Sequence, residues 1–214
     1  MAGKNDMISE VTGVLLAGGK SRRMGEDKRY LLVGERTLLE HSLGILQTVF
    51  ERVVIVIAQD SPSLEGVASP VLRDLIPNCG SLDGLYTGLK EATTEHIFVV
   101  ACDMPFVNPL VIRYFVNLRV QADIVIAKLS NGLHPMHAVY GKACVPVLEK
   151  MIAARNLKIQ DLASQSALRV HFVTATDLAP IDPTARSFHN VNTPADLKAA
   201  RASAAQSGQP GHRS

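Results

Sequence analysis

Cysteine is scarce in this sequence: the three residues, Cys79, Cys102 and Cys144, are widely spaced, odd in number and include no Cys-x-x-Cys pair. That excludes a disulfide framework and a thiolate zinc site, and it points to a reducing cytosol. Charge of either sign is not in excess, because 22 basic residues face 20 acidic ones for a net charge of +2. Such a balance does not advertise a nucleic-acid surface. Long apolar runs are missing too; no stretch approaches the roughly 20 residues of a membrane helix, and the opening MAGKNDMISE has no apolar core of a signal peptide. Neither a Walker A loop nor a Rossmann Gly-x-Gly-x-x-Gly can be aligned, so the usual kinase, GTPase and dehydrogenase readings lose their main support. The expectation is a cytoplasmic protein with neither a nucleic-acid nor a membrane partner.

What is present is ordinary globular material, 47% hydrophobic and 20% charged over 214 residues. A chain of that length buries roughly 70% of its unfolded surface and needs no staple. Apolar runs at 11–17, 52–58, 96–102 and 123–127 are rich in β-branched residues and do not alternate strictly, as strands buried on both faces of a parallel sheet do not. Helical periodicity over 37–50 separates the first two. The alternation predicts an α/β fold with a doubly wound, mostly parallel sheet and helices on both faces. A short third strand should precede Asp74, with further strands at 136–140 and 170–174 and helices at 143–154 and 194–205. Residues 1–10 read as a flexible N-terminus, 11–202 as one domain and the small, polar residues 203–214 as a disordered tail.

In such sheets ligands bind beyond the carboxyl ends of strands, and three loops there are chemically conspicuous. The first, Leu16-Ala17-Gly18-Gly19-Lys20-Ser21-Arg22-Arg23-Met24-Gly25-Glu26-Asp27-Lys28, follows the first strand. Its paired glycines let backbone N–H groups approach phosphates, and its basic residues outnumber the acidic ones. The second, Cys102-Asp103-Met104-Pro105, presents a carboxylate on a turn at the exit of a very apolar strand. Mg²⁺ takes hard oxygen ligands, commonly one or two carboxylates plus substrate phosphates. The third is Asp74 followed by residues 77–88, and a fourth segment downstream reads Asn190-Val191-Asn192-Thr193-Pro194-Ala195-Asp196. Thr193 as N-cap, Pro194 at N1 and Asp196 at N3 make a helix start. The two asparagines two apart would face one side of an extended backbone, with amides able to read a donor and acceptor edge. His134 and His137, three apart on an expected strand, should point to opposite faces and not share a metal.

The string Leu-Ala-Gly-Gly-x-Ser-x-Arg-Met-Gly-x-Asp-Lys closely resembles the signature of the molybdenum cofactor guanylyltransferases, the MobA family; Cys-Asp-x-Pro and Asn-x-Asn-Thr-Pro-x-Asp resemble two more of its motifs. The resemblance spans residues 11–197 and implies a nucleotide-diphospho-sugar-transferase-like fold. It implies GTP as donor and molybdopterin or the molybdenum cofactor as acceptor, with other cofactor-biosynthesis proteins and recipient apoenzymes as further partners. Carried over residue by residue, it places Leu16, Ala17, Gly18, Gly19, Asp74, Gly80 and Leu82 on the nucleotide, Lys28 and Arg23 on the phosphates, Asp103 on Mg²⁺, and Asn190 and Asn192 on the acceptor. Asp74 is the residue suited to accept from a guanine edge. In the family's Gly-Pro-Leu-x-Gly, Ser81 replaces the usual proline and Asp83 stands where a small residue is common. They leave open a relative that uses CTP or another phosphorylated acceptor; a non-catalytic cofactor carrier is the other alternative.

Overall fold

A computed structural model describes residues 7–18, 27–77 and 79–207. Gly19 and Arg23 therefore lie outside the described residues, as does most of the basic loop around them. The chain runs through β1 (Val11–Leu16), β2 (Leu32–Val33), β3 (Arg36–Thr37), α1 (Leu38–Val49), β4 (Val53–Ile57), β5 (Val71–Arg73) and α2 (Ser81–Glu91). It continues through β6 (His96–Ala101), α3 (Pro109–Leu118), β7 (Ile124–Leu129), β8 (Gly132–Gly141), α4 (Val145–Ala153), β9 (Val170–Val173), α5 (Ala175–Leu178) and α6 (Pro194–Ser207).

Seven strands form one sheet in the order β5-β4-β1-β6-β8-β7-β9. The pairings β1/β4, β4/β5, β1/β6 and β7/β9 are parallel, whereas β8 runs antiparallel to both β6 and β7. The sheet is thus mostly parallel, with β8 reversed inside it. Both faces are covered, which is why the strands lack alternation. Val11 and Leu15 of β1, with Phe98 and Val100 of β6, pack under Leu39, Leu43 and Leu46 of α1 and Val111, Ile112 and Phe115 of α3. Val14, Leu16, Ile97 and Val99 face the other way, under Leu82, Leu85 and Leu89 of α2 and Leu148 and Met151 of α4. Each apolar strand residue therefore loses its surface to water on one side or the other, the main source of stability here.

Three local expectations change. Ile8, expected in a flexible terminus, is held between the end of α1 and the start of β4: its N–H donates to the Val49 carbonyl at 2.8 Å and its carbonyl accepts from Glu51 at 3.0 Å. At the other end α6 continues to Ser207, past the point at which a tail was expected. His134 and His137 do not point to opposite faces. The register of β8 against β7 shifts between Ile126 and Lys128, a bulge around Pro135, whose nitrogen has no hydrogen to donate. Both rings consequently meet Phe188, at centroid distances of 5.2 and 4.6 Å. His137 is fully buried without a hydrogen-bond partner, and burial holds its pKa down at about 3. It is a neutral core ring.

Candidate active site

β1 is the strand at which the winding reverses, with β4 on one side and β6 on the other, and the loops beyond β1, β4, β5 and β6 enclose a cleft of about 800 Å³. Its wall includes Leu16, Gly18, Asp74, Gly80, Asp103 and Asn190, six of the residues singled out from the sequence. Gly18 is required by proximity, since a Cβ there would sit 2.8 Å from the Ala58 nitrogen at the exit of β4. Gly80 precedes α2 with φ of 64°, a backbone state that glycine adopts without strain. Ala17 stands behind the wall, tied to β4 by its N–H to the Val56 carbonyl at 2.8 Å. Leu82 is fully buried in the core under α2 and offers no side chain to the cleft. Gln59 and Asp60, just past β4, also line it. No motif marked them; their position at a strand exit was the only available signal.

Asp103 stands at the carboxyl edge of β6. Its Oδ1 is buried and has no hydrogen-bond partner, and its Oδ2 is 4.0 Å from Lys28 Nζ. Burial raises its pKa and Lys28 opposes the rise. A buried carboxylate oxygen without a donor, on the wall of the cleft, fits a hard divalent cation completed by substrate oxygens. Among the described residues no group of three or more His, Cys, Asp or Glu could hold a metal, so protein ligands alone would not complete the shell. Cys102 next to it is no nucleophile: burial pushes its thiol up to about 12.

Lys28 reaches across the site. Its ammonium donates to the Val191 carbonyl at 3.1 Å and to Asn192 Oδ1 at 2.9 Å, while the Val191 N–H donates to the Asp103 carbonyl at 2.8 Å. Three segments far apart in sequence thus meet within hydrogen-bonding distance. Asp196 fixes the last of them, its Oδ2 accepting from Asn192 and Thr193 at 2.9 and 2.8 Å while Thr193 Oγ1 accepts from Asp196, a reciprocal pair at the expected helix start.

A second cleft of about 660 Å³ opens on the far side of Asn190, which lines both. It also includes Asn192, His134, His189 and Arg186, the last stacked 3.8 Å from the Phe106 ring centre. That stacking holds a guanidinium in place over a ring 80 positions earlier in the chain. Local sequence gave no sign of the pair. Burial, and then His189, lower the His134 pKa, which favours a neutral ring.

At the opposite end of the first cleft, Asp74 is half-buried after β5. Burial and the charges of Asp83 and Asp60 push its pKa up to about 7. Its N–H donates to the Ile57 carbonyl at 2.9 Å, fixing the residue to the end of β4.

Comparison with known proteins agrees with this fold. Residues 13–183 match the family model described as the MobA-like NTP transferase domain. A probable molybdenum cofactor guanylyltransferase from Pelotomaculum thermopropionicum is 36% identical over 198 residues, 92% of this chain and 95% of its own length. The solved structure of molybdopterin-guanine dinucleotide biosynthesis protein A from Archaeoglobus fulgidus is 27% identical with a TM-score of 0.80, over 92% of this chain and all of that one. At 16% identity, a 2-C-methyl-D-erythritol 4-phosphate cytidylyltransferase from Thermus thermophilus shares the fold with a TM-score of 0.67, over 91% of this chain and 99% of its own. With that family model covering residues 13–183 and a relative 36% identical over 92% of the chain, this chain belongs to the MobA-like NTP transferase family.

Proposed function

We propose that this protein transfers GMP from GTP to the terminal phosphate of molybdopterin or its molybdenum-bearing form, releasing pyrophosphate and leaving the guanine dinucleotide of the cofactor. The observation that carries the reading is the meeting of Asp103 and Lys28 between two clefts that share Asn190. Two substrates joined at one phosphorus need two pockets with the charge-bearing groups between them. Guanine lies toward Asp74, whose carboxylate accepts from N1–H and the exocyclic amine. The phosphates extend past Gly18 toward Lys28 and Asp103, and the acceptor enters from the Asn190 and Asn192 side.

The acceptor's phosphate oxygen attacks the α-phosphorus, the bond from that phosphorus to the β-bridging oxygen breaks, and pyrophosphate carries the electron pair away. The nucleophile is already an anion at neutral pH, so no general base is needed. The protein contributes alignment and charge neutralisation. Lys28 turns its ammonium from Asn192 to the oxygens that gain charge, and Asn190 keeps the acceptor's phosphate in line. Asp103 would hold Mg²⁺, which would supply positive charge to neutralise the phosphates.

Pyrophosphate release tests the reading. With Mg²⁺ and molybdopterin, release should follow GTP and stop when the acceptor is omitted; equal release with CTP would instead support the cytidylyl alternative. Release without acceptor would make the protein a nucleotide hydrolase.

A further inference from the structure

Asp83 fills the variable position of the Gly80–Gly84 segment, yet it is a fully buried carboxylate, 1% exposed, at the third position of α2. Its Oδ1 accepts from the Ile76 N–H at 3.0 Å and from Thr87 Oγ1 at 3.5 Å. One turn further along the helix, Thr87 Oγ1 accepts from the Leu75 N–H at 2.9 Å. The two backbone donors that follow Asp74 are therefore both anchored on α2, by side chains four residues apart on one helix face. With the Asp74 N–H bound to Ile57, three consecutive backbone donors, at 74, 75 and 76, have fixed acceptors. Residue 84 adds closeness from the same helix, since a Cβ built on Gly84 would lie 3.1 Å from Leu16 and 3.7 Å from Asp74 Oδ1.

A buried carboxylate is costly unless hydrogen bonds replace its lost hydration, and here they come from the Ile76 N–H and Thr87. What these hold is the direction in which the Asp74 side chain enters the nucleotide cleft. We infer that Asp83, with Thr87, is the positioning residue for base recognition, a strut from α2 that sets the aim of Asp74 at the purine edge; this rests on the proposed contact of Asp74 with guanine. The strut acts on base selectivity and leaves phosphoryl chemistry at Asp103 and Lys28 untouched, since neither touches the 74–76 loop through a described hydrogen bond. Its second effect is electrostatic, because the Asp83 charge helps hold the Asp74 pKa high.

The test measures Kd and KM for GTP and ITP with Mg²⁺ in wild type, Asp83→Ala, Asp83→Asn, Thr87→Ala and Asp74→Ala. Hypoxanthine lacks the exocyclic amine, so the GTP-to-ITP preference reports the aim of Asp74 directly. Work at pH 8, above the Asp74 value of about 7, keeps changes in its ionisation small. Asp83→Ala should weaken GTP binding about 5-fold or more, the scale of one buried donor left unpaired, while kcat at saturating GTP stays within about 2-fold. The GTP preference should fall toward that of Asp74→Ala. Asp83→Asn, whose amide oxygen can still accept from Ile76, should restore most of it.

A wild-type preference in Asp83→Ala, with the preference lost in Asp74→Ala, overturns the strut. So does a loss in Asp83→Asn as large as in Asp83→Ala. If Asp74→Ala itself keeps the preference, the base contact fails first and the strut falls with it, a different pattern of results. Should Asp83→Ala not fold, Thr87→Ala decides, because it frees the Leu75 N–H while the bond from Ile76 to Asp83 stays; an unchanged preference there contradicts the inference.

Discussion

Two side chains carry the residue-scale account, and each has a measurable signature. Asp74 with a pKa of about 7 is half protonated near neutrality in the empty cleft, whereas guanine's donors bind the ionised form. Raising the pH from 6 to 8 should therefore tighten GTP binding by about tenfold, with a plateau above. Asp74→Asn should bind more weakly and lose this dependence; since GTP's own phosphates titrate alike in both proteins, the difference between the two profiles isolates Asp74. A wild-type slope that persists in Asp74→Asn would assign the titration elsewhere. Lys28 is tied to Asn192 and Val191 and sits 4.0 Å from Asp103, so its charge is most useful as the phosphates redistribute theirs. Lys28→Ala should lower kcat by more than it raises KM for GTP; equal changes would mean ground-state binding alone. Gly18, Lys28, Asp74 and Asp103 were legible because each lies in a short motif beside a strand end. Asp83 and Thr87 were not, since a strut needs the helix and the loop to be seen together.

The segment leading into α6 serves two ends at the scale of elements, a helix start and a wall of both clefts. Thr193→Ala removes the cap and should cost about 1 kcal/mol of stability in thermal or urea unfolding, with little effect on the acceptor KM. Asn190→Leu should do the reverse, weakening acceptor use about 5-fold or more with near-wild-type unfolding and GTP affinity. If Asn190→Leu tracks Thr193→Ala in both measurements, the segment is structural only. Strands and helices were largely predictable here, and periodicity placed β1, β4, β6 and α1 close to their observed bounds. Strand direction was not, because burial on both faces looks the same in a strand running either way. The Ser130-Asn131-Gly132 turn, with Gly132 at φ of 114°, was the available sign that β7 and β8 form a hairpin. The bulge that turns His134 and His137 to one ring follows from Pro135 and could not be placed by period-two counting.

For the molecule as a whole, the sheet order gathers residues 16–18, 58–60, 74–77, 80–84 and 101–103 at one edge, while the segment before α6 closes the site with Asn190. On the proposed reading, the cleft lined by Asp74 and Asp103 takes the nucleotide and the cleft beyond Asn190 takes the acceptor. No described helix is long and apolar enough to cross a membrane. The proposal requires the α-phosphorus to move, and isotopic labelling reads that directly. With molybdopterin and Mg²⁺, [α-³²P]GTP should pass its label to the acceptor product, and [γ-³²P]GTP should leave its label in pyrophosphate. Label from the γ-position in the acceptor, or α-label that stays with free GMP, would contradict nucleotidyl transfer at this site.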